Sequence, residues 1–401
     1  MSPVETASRT KSTKGTLASL AATYLVFGGF WGSWAVIFSD FLTQRSLTPG
    51  QASINFAALS ATSILVMMFV APRFTGISHG SVIAIGLGFH AIGALLIAWV
   101  PNGWLALAFA STGLGTGLID VFVNVAGQDI ETRLERPVLQ WLHATYSVGA
   151  ALGAALSALA IEGGADAIDV LIALSVVQFA VAGLAWGQRQ PKDSVEGTPE
   201  RNRTSLGVFV RTPLLLIPAA VVLFSFFIEG SMDVWSVIYL RRTMDATALA
   251  GAGGFALFSI AMAVGRGFAA RLLFGLGYRR TILFAGFGSM AAGAVAVLTD
   301  QPTVASLAFL VLGFCMASAA PAAFGLAGRW GDDAGVIIAA MTTVGYSGFV
   351  VGPPILGWLA DRAGLRASML VVVLATLGIA VAGLLSRGNP KPVEPPDRQP
   401  A

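Results

Sequence analysis

Long apolar stretches alternate along this 401-residue chain with short breaks rich in Gly, Pro or charge. A helix needs about 20 mostly apolar residues to cross a bilayer, and the breaks leave twelve such pieces. They fall at about 17–41, 49–72, 80–100, 103–130, 138–161, 168–187, 213–240, 247–275, 279–298, 302–327, 334–360 and 365–386. The runs are too long and too continuous for the alternating pattern of a membrane barrel. The predicted fold is therefore an all-α membrane protein with twelve transmembrane helices.

The longest polar break, GQRQPKDSVEGTPERNRTSLG, starts at Gly187 near the middle of the chain and reads as a flexible linker between two six-helix halves. This divides the chain into a tail (1–16), an N-terminal half (17–187), a linker (188–212), a C-terminal half (213–386) and a second tail (387–401). An internal repeat supports the division. Trp34-Ala-Val-Ile-Phe38 recurs as Trp235-Ser-Val-Ile-Tyr239, and Tyr146-Ser147 recurs as Tyr346-Ser347, each about 200 residues later. Small-residue pairs accompany the second match, Gly149/Gly153 and Gly348/Gly352, and are expected where the halves slide against each other. Duplicated halves are typical of secondary transporters, whose ligand site lies between them.

Composition agrees. Charged residues make up 11% of the chain, against about 25% in soluble proteins. Of the 24 Lys and Arg, 18 fall in the N-terminal tail, alternate loops and C-terminal tail, five fall in the other loops, and Arg266 lies within a helix. Basic residues concentrate on the cytoplasmic side, so both termini are expected in the cytoplasm, with the chain in the inner membrane. The first apolar run is too long for a signal-peptide core. Cys315 stands alone in an apolar run, which leaves no intrachain disulfide or Cys-based metal cluster. No Walker A or HExxH string occurs. Neither enzyme chemistry nor a cofactor is expected. The expected partners are a small-molecule solute, protons and the lipid bilayer, with the chain acting as a monomer and no role for nucleic acid.

Chemistry begins with acids inside apolar runs. In Gly113–Glu131, Asp120 and Asn124 lie four residues apart and share a helix face. An ionisable group at membrane depth costs a few kcal/mol and normally faces a cavity or a partner. A carboxyl in low dielectric suits proton uptake and release, so Asp120 is the leading candidate for proton coupling and Asn124 for binding solute. A polar clamp between helices is the alternative. Glu229 and Asp233 repeat the spacing in the seventh helix, with Glu229 a second candidate proton carrier, Asp233 a solute contact, and a salt bridge to Arg266 the main alternative. Trp31, Trp34, Trp235 and Tyr239 offer aromatic faces suited to a sugar or polyol, although aromatics also fill cores. Tyr146 and Tyr346 complete the candidate contacts. His143 is either a further contact and proton relay or a packing residue, and His90 reads as structural.

The pattern resembles the major facilitator superfamily, more closely its MosC/YbjJ-like branch of bacterial inner-membrane proteins and more distantly the fucose permease group. The strings that carry the resemblance are Asn124-Val125, Leu142-His-Ala-Thr-Tyr-Ser-Val-Gly149, Glu229-Gly-Ser-Met-Asp-Val-Trp235, Val264-Gly-Arg266 and Thr343-Val-Gly-Tyr-Ser-Gly-Phe-Val-Val-Gly-Pro-Pro354. The resemblance implies alternating access and proton-coupled import of a small polar solute. A proton-driven exporter of amphipathic compounds and a non-transporting membrane sensor are the rival readings. The fucose permease group has Glu where this chain has Asp120, and Asp40 only loosely matches its first-helix acid. The loop motif expected after the second helix is degenerate at Pro72–His79, and a closer match, Gly357–Gly364, reads as a helix end and turn. At an offset of 198, Ser318 and Ala322 stand opposite Asp120 and Asn124, so the acid is not duplicated.

Overall fold

A computed structural model describes residues 3–74, 77–134, 136, 138–187, 207–329 and 334–386, and among them there are helices and short turns and no strand. Most of the linker and all of the second tail lie outside the described residues. From Gly207 the chain forms a short helix, Gly207–Arg211, and a tight turn, Pro213–Leu215.

Ten helical stretches are long and apolar enough to cross a membrane. Eight correspond to single spans: α1 (Pro3–Gln44), α2 (Pro49–Phe74), α3 (His79–Trp99), α4 (Leu105–Leu134), α5 (Val138–Glu162), α6 (Ala167–Trp186), α7 (Leu216–Thr243) and α10 (Pro302–Ala327). The other two, Ala248–Leu298 and Ala334–Leu385, contain 51 and 52 residues. Straight helices of that length would run about 75 Å, more than twice the ~30 Å of a hydrocarbon core. Each is broken where a glycine takes a left-handed backbone, Gly277 at φ 74° and Gly364 at φ 84°. The breaks separate α8 (248–276) from α9 (278–298), and α11 (334–363) from α12 (365–385), giving twelve spans. The string Gly357–Gly364 ends in the second of these turns.

The chain divides into two compact units, Met1–Gly197 and Thr198–Ala401. In the first, α1 packs on α5 and α6, α3 on α4 and α6, and α2 on α4. In the second, α7 packs on α11 and α12, α9 on α10 and α12, and α8 on α10. The second set is the first with each helix number raised by six.

Equivalent details recur at equivalent places. Ser46 (φ 51°) and Asp245 (φ 52°) take the same uncommon backbone between the first two helices of each unit. Thr48 and Thr247 then cap α2 and α8 by accepting the main-chain N–H of Gln51 and Ala250, each at 3.2 Å. The turns between the last two helices of each unit use Gly164 (φ 98°) and Gly364. The third helix of each unit also has its C-terminal carbonyls satisfied by a basic side chain. Arg45 donates to the Val100, Ile97 and Ala98 carbonyls at the end of α3, and Arg366 to the Thr299 carbonyl and the Asp300 carboxylate just beyond α9.

The fourth helix of each unit corrects the sequence alignment. Gly113 of α4 lies against the Leu59 carbonyl of α2, and its counterpart against the Phe258 carbonyl of α8 is Gly313. That sets the offset at 200 rather than 198, which puts Ala320 and Phe324 opposite Asp120 and Asn124. The acid remains without a copy. α10 is interrupted at Ala317–Ser318 because Pro321 has no N–H to offer the Ala317 carbonyl and its ring crowds that oxygen.

Candidate functional site

In the first unit the polar cluster is built on the contact between α1 and α5. Gly28 and Gly149 let the two backbones touch: a Cβ on Gly149 would collide with the Leu25 carbonyl, and one on Gly28 with the Tyr146 carbonyl. Gly153 meets Gly29 in the same way. In the second unit Gly348 lies on the Leu223 carbonyl of α7 and Gly352 beside Phe227. These small-residue pairs therefore seat helices within one unit. The close approach each one permits is to the first helix of its own repeat.

The close α1–α5 contact brings Tyr24 next to the acid of α4. The Asn124 side-chain amide donates to the Tyr24 hydroxyl at 2.9 Å, to the Asp120 main-chain carbonyl at 2.7 Å and to the Asp120 carboxylate at 3.2 Å. Tyr24 also hydrogen-bonds the Asp120 side chain. At 1% exposure the Tyr24 phenol needs a polar partner, and the amide and carboxylate supply it. His143 of α5, exposed, lies with its ring centroid 5.3 Å from that of Tyr24 and acts electrostatically on Asp120. Tyr146, half-buried one turn later, lies 6.1 Å from Tyr24 and 5.8 Å from Phe27. Trp31 is half-buried with its ring on the edges of Phe27, Phe30 and His90.

Tyr24 carries little local sequence signal of its place in the cluster. Its bond to Asn124 crosses 100 positions, and no local pattern joins them. The one available signal is that Tyr24 precedes Trp31 by seven residues and so shares its helix face. A second polar pair gives His90 its structural role: His90 Nδ1 lies 2.9 Å from Gln178 Oε1, fully buried between α3 and α6 behind the Phe27 and Phe30 rings.

In the second unit Arg266 of α8 reaches Glu229 of α7 at 2.7 Å, with side-chain exposures of 55% and 24%. The pairing left open in the sequence is made, because the long arginine stem spans the offset along the helix axis. Asp233, half-buried one turn on, makes no hydrogen bond among the described residues but lies within the field of both Glu229 and Arg266. Beside this cluster, the Phe349 ring packs on Gly230 and forms a half-buried aromatic group with Phe226 and Tyr346.

Three candidate ligand contacts are placed in packing cores instead. Trp34 is 1% exposed, enclosed by Phe30, Phe38, Phe41, Phe56 and Phe109. Trp235 and Tyr239 occupy the repeated position at 0% exposure, and the Tyr239 hydroxyl is directed to the Ala296 and Val297 carbonyls of α9. Fully enclosed side chains have no face to offer a solute. The recurrence that made these residues conspicuous marks a shared core position.

A sequence profile of the Major Facilitator Superfamily matches residues 19–353 and, in a second overlapping match, 255–400. The chain belongs to the Major Facilitator Superfamily. An uncharacterized MFS-type transporter of Yersinia pestis is 28% identical over 289 residues, covering 72% of this chain and 74% of that protein. Membrane protein MosC of Rhizobium meliloti is 24% identical and covers 94% of this chain and 93% of its own, which supports the MosC-like branch. Among solved structures, nucleoside transporter NupG superposes with a TM-score of 0.78 over 92% of this chain and 98% of that one. A bacterial homolog of the human lysosomal transporter Spinster, inward-facing and unoccupied, superposes at 0.76 over 93% and 96%. Both are 12% identical in sequence and establish shared fold. This superfamily member is accordingly an integral multi-pass membrane protein and a secondary transporter, not an enzyme.

Proposed function

We propose that this transporter couples proton movement to import of a small polar solute of sugar or polyol type, working as a monomer by alternating access of its two six-helix halves. The observation that carries the reading is the Asp120–Asn124–Tyr24 cluster: a carboxyl group inside a spanning helix, hydrogen-bonded on a second helix and accompanied by an exposed histidine. Maintaining an acid there costs a few kcal/mol. Its partners hold it in one geometry, as reversible protonation requires. Asp120 carries the proton; Asn124, Trp31, His143, Tyr146 and Tyr346 contact solute. Glu229 is held by Arg266, so in the second half the role of solute or proton contact passes to Asp233. The coupling is asymmetric, since α10 has no counterpart of Asp120. By the distribution of Lys and Arg, both termini lie in the cytoplasm and the membrane is the inner one.

The test is uptake of a labelled sugar and polyol library into proteoliposomes, with and without an imposed pH gradient. Accumulation above equilibrium only with the gradient is expected. A second reading, proton-driven export of amphipathic compounds, is favoured by the Phe226, Phe349 and Tyr346 rings beside Glu229. Absence of uptake together with gradient-driven extrusion of such compounds would replace the first reading by the second.

A further inference from the structure

We infer that Asp120 exchanges its proton with water through His143, and that Tyr24 is the positioning residue that holds the pair in register. This rests on the reading of Asp120 as the proton carrier and adds the route. Two donors converge on the Asp120 carboxylate, the amide N–H of Asn124 and the phenol O–H of Tyr24. The Tyr24 hydroxyl in turn accepts from Asn124, so amide, phenol and carboxylate form one connected hydrogen-bonded chain. The Tyr24 ring lies 5.3 Å from His143, tilted by 42°. Tyr24 itself is closed off from solvent, whereas His143 is exposed. Of the cluster, the imidazole is the group that both feels the Asp120 charge and reaches the surface of the unit.

Among the described residues of α2 and α3 no group competes. On α3, His90 turns into Phe27, Phe30 and Gln178, and His79 meets Asp129 at 3.8 Å, more than two turns of α4 beyond Asp120. On α2 the charged residue among those described is Arg73, exposed and donating to the Phe69 carbonyl. The step is a net transfer of one proton, carried across the gap by a water molecule, since the two side chains act on each other through charge and not through a hydrogen bond. The O–H bond of protonated Asp120 breaks, an N–H bond forms on neutral His143, and a carboxylate and an imidazolium remain to attract one another. His143 then releases the proton to water, and loading reverses the order. Because α1 and α5 touch through glycines at Gly28 and Gly149, Tyr24 and His143 keep their separation, which a proton route needs.

The experiment needs no solute. Infrared difference spectra of the purified protein in liposomes, titrated with pH, report the C=O stretch of protonated carboxyl groups, and the band lost in Asp120→Asn belongs to Asp120. Tyr24→Phe, which keeps the ring and the packing, is expected to shift the midpoint of that band. His143→Gln is expected to keep the band but slow its shift on transfer to D2O by about 100-fold, the low end of what a positioned proton-transfer group contributes. Thermal unfolding of each variant verifies its fold. A titrating carboxyl spectrum identical in Asp120→Asn and the parent would overturn the Asp120 reading itself. An Asp120 band present, with its midpoint unmoved in Tyr24→Phe and its exchange rate unchanged in His143→Gln, would overturn this inference alone.

Discussion

Two tryptophans three residues apart make opposite predictions. Trp34 fills a cage of five phenylalanines, and its replacement by Ala is expected to cost about 3–5 kcal/mol of stability, seen as a lower unfolding temperature in detergent. Trp31 is only half-buried, so Trp31→Ala should raise the KM for solute with a much smaller thermal effect. The reverse pattern would mean that the two roles are exchanged. The ion pair of the second unit has its own signature. Glu229→Gln leaves the Arg266 guanidinium without its carboxylate. Removing one partner of a buried pair costs about 3–5 kcal/mol, and the partial exposure here brings the expectation down to about 1–3 kcal/mol. The double variant Glu229→Gln/Arg266→Gln should recover most of the loss in thermal unfolding. If the single variant is as stable as the parent, the pair contributes little to the fold.

Helices were readable because apolar length is a one-dimensional signal, and ten stretches of that kind are present. The count of twelve depends on Gly277 and Gly364, whose left-handed backbone turns the chain without a polar loop. Gly364→Ala is expected to cost about 1–3 kcal/mol, the penalty of an L side chain held at φ 84° and ψ 164°, and a thermal shift measurement on the purified variant checks it. The small-residue pairs were legible as close-packing surfaces but not as to their partner, because spacing on one helix carries no address. Their partner is the first helix of the same repeat. Gly149→Leu should therefore force α1 and α5 apart at Leu25 and lower stability by about 1–3 kcal/mol or more. A variant as stable as the parent would contradict the contact. The acids were legible because they interrupt an apolar run. Tyr24 was not, because a tyrosine in an apolar helix is commonplace until the fold places Asn124 opposite it.

At the scale of the whole molecule, the two units repeat one packing scheme down to their turn residues, and the superfamily's twelve-helix fold follows from that duplication. The polar clusters do not repeat with it: Asp120, Asn124 and Tyr24 belong to the first unit and the Glu229–Arg266 pair to the second. Duplication explains the scaffold, and divergence of a few polar residues underlies the proposed asymmetric coupling. The proposed topology is checked by fusing reporters to the C-terminus: a fluorescent protein should mature and a periplasmic phosphatase should stay inactive, and the opposite result would invert the orientation. The central claim is that proton coupling passes through Asp120, and the most direct measurement compares the parent with Asp120→Asn in proteoliposomes. The expected result is loss of pH-driven accumulation of a transported solute with solute counterflow retained. Accumulation that continues undiminished in Asp120→Asn would contradict the account.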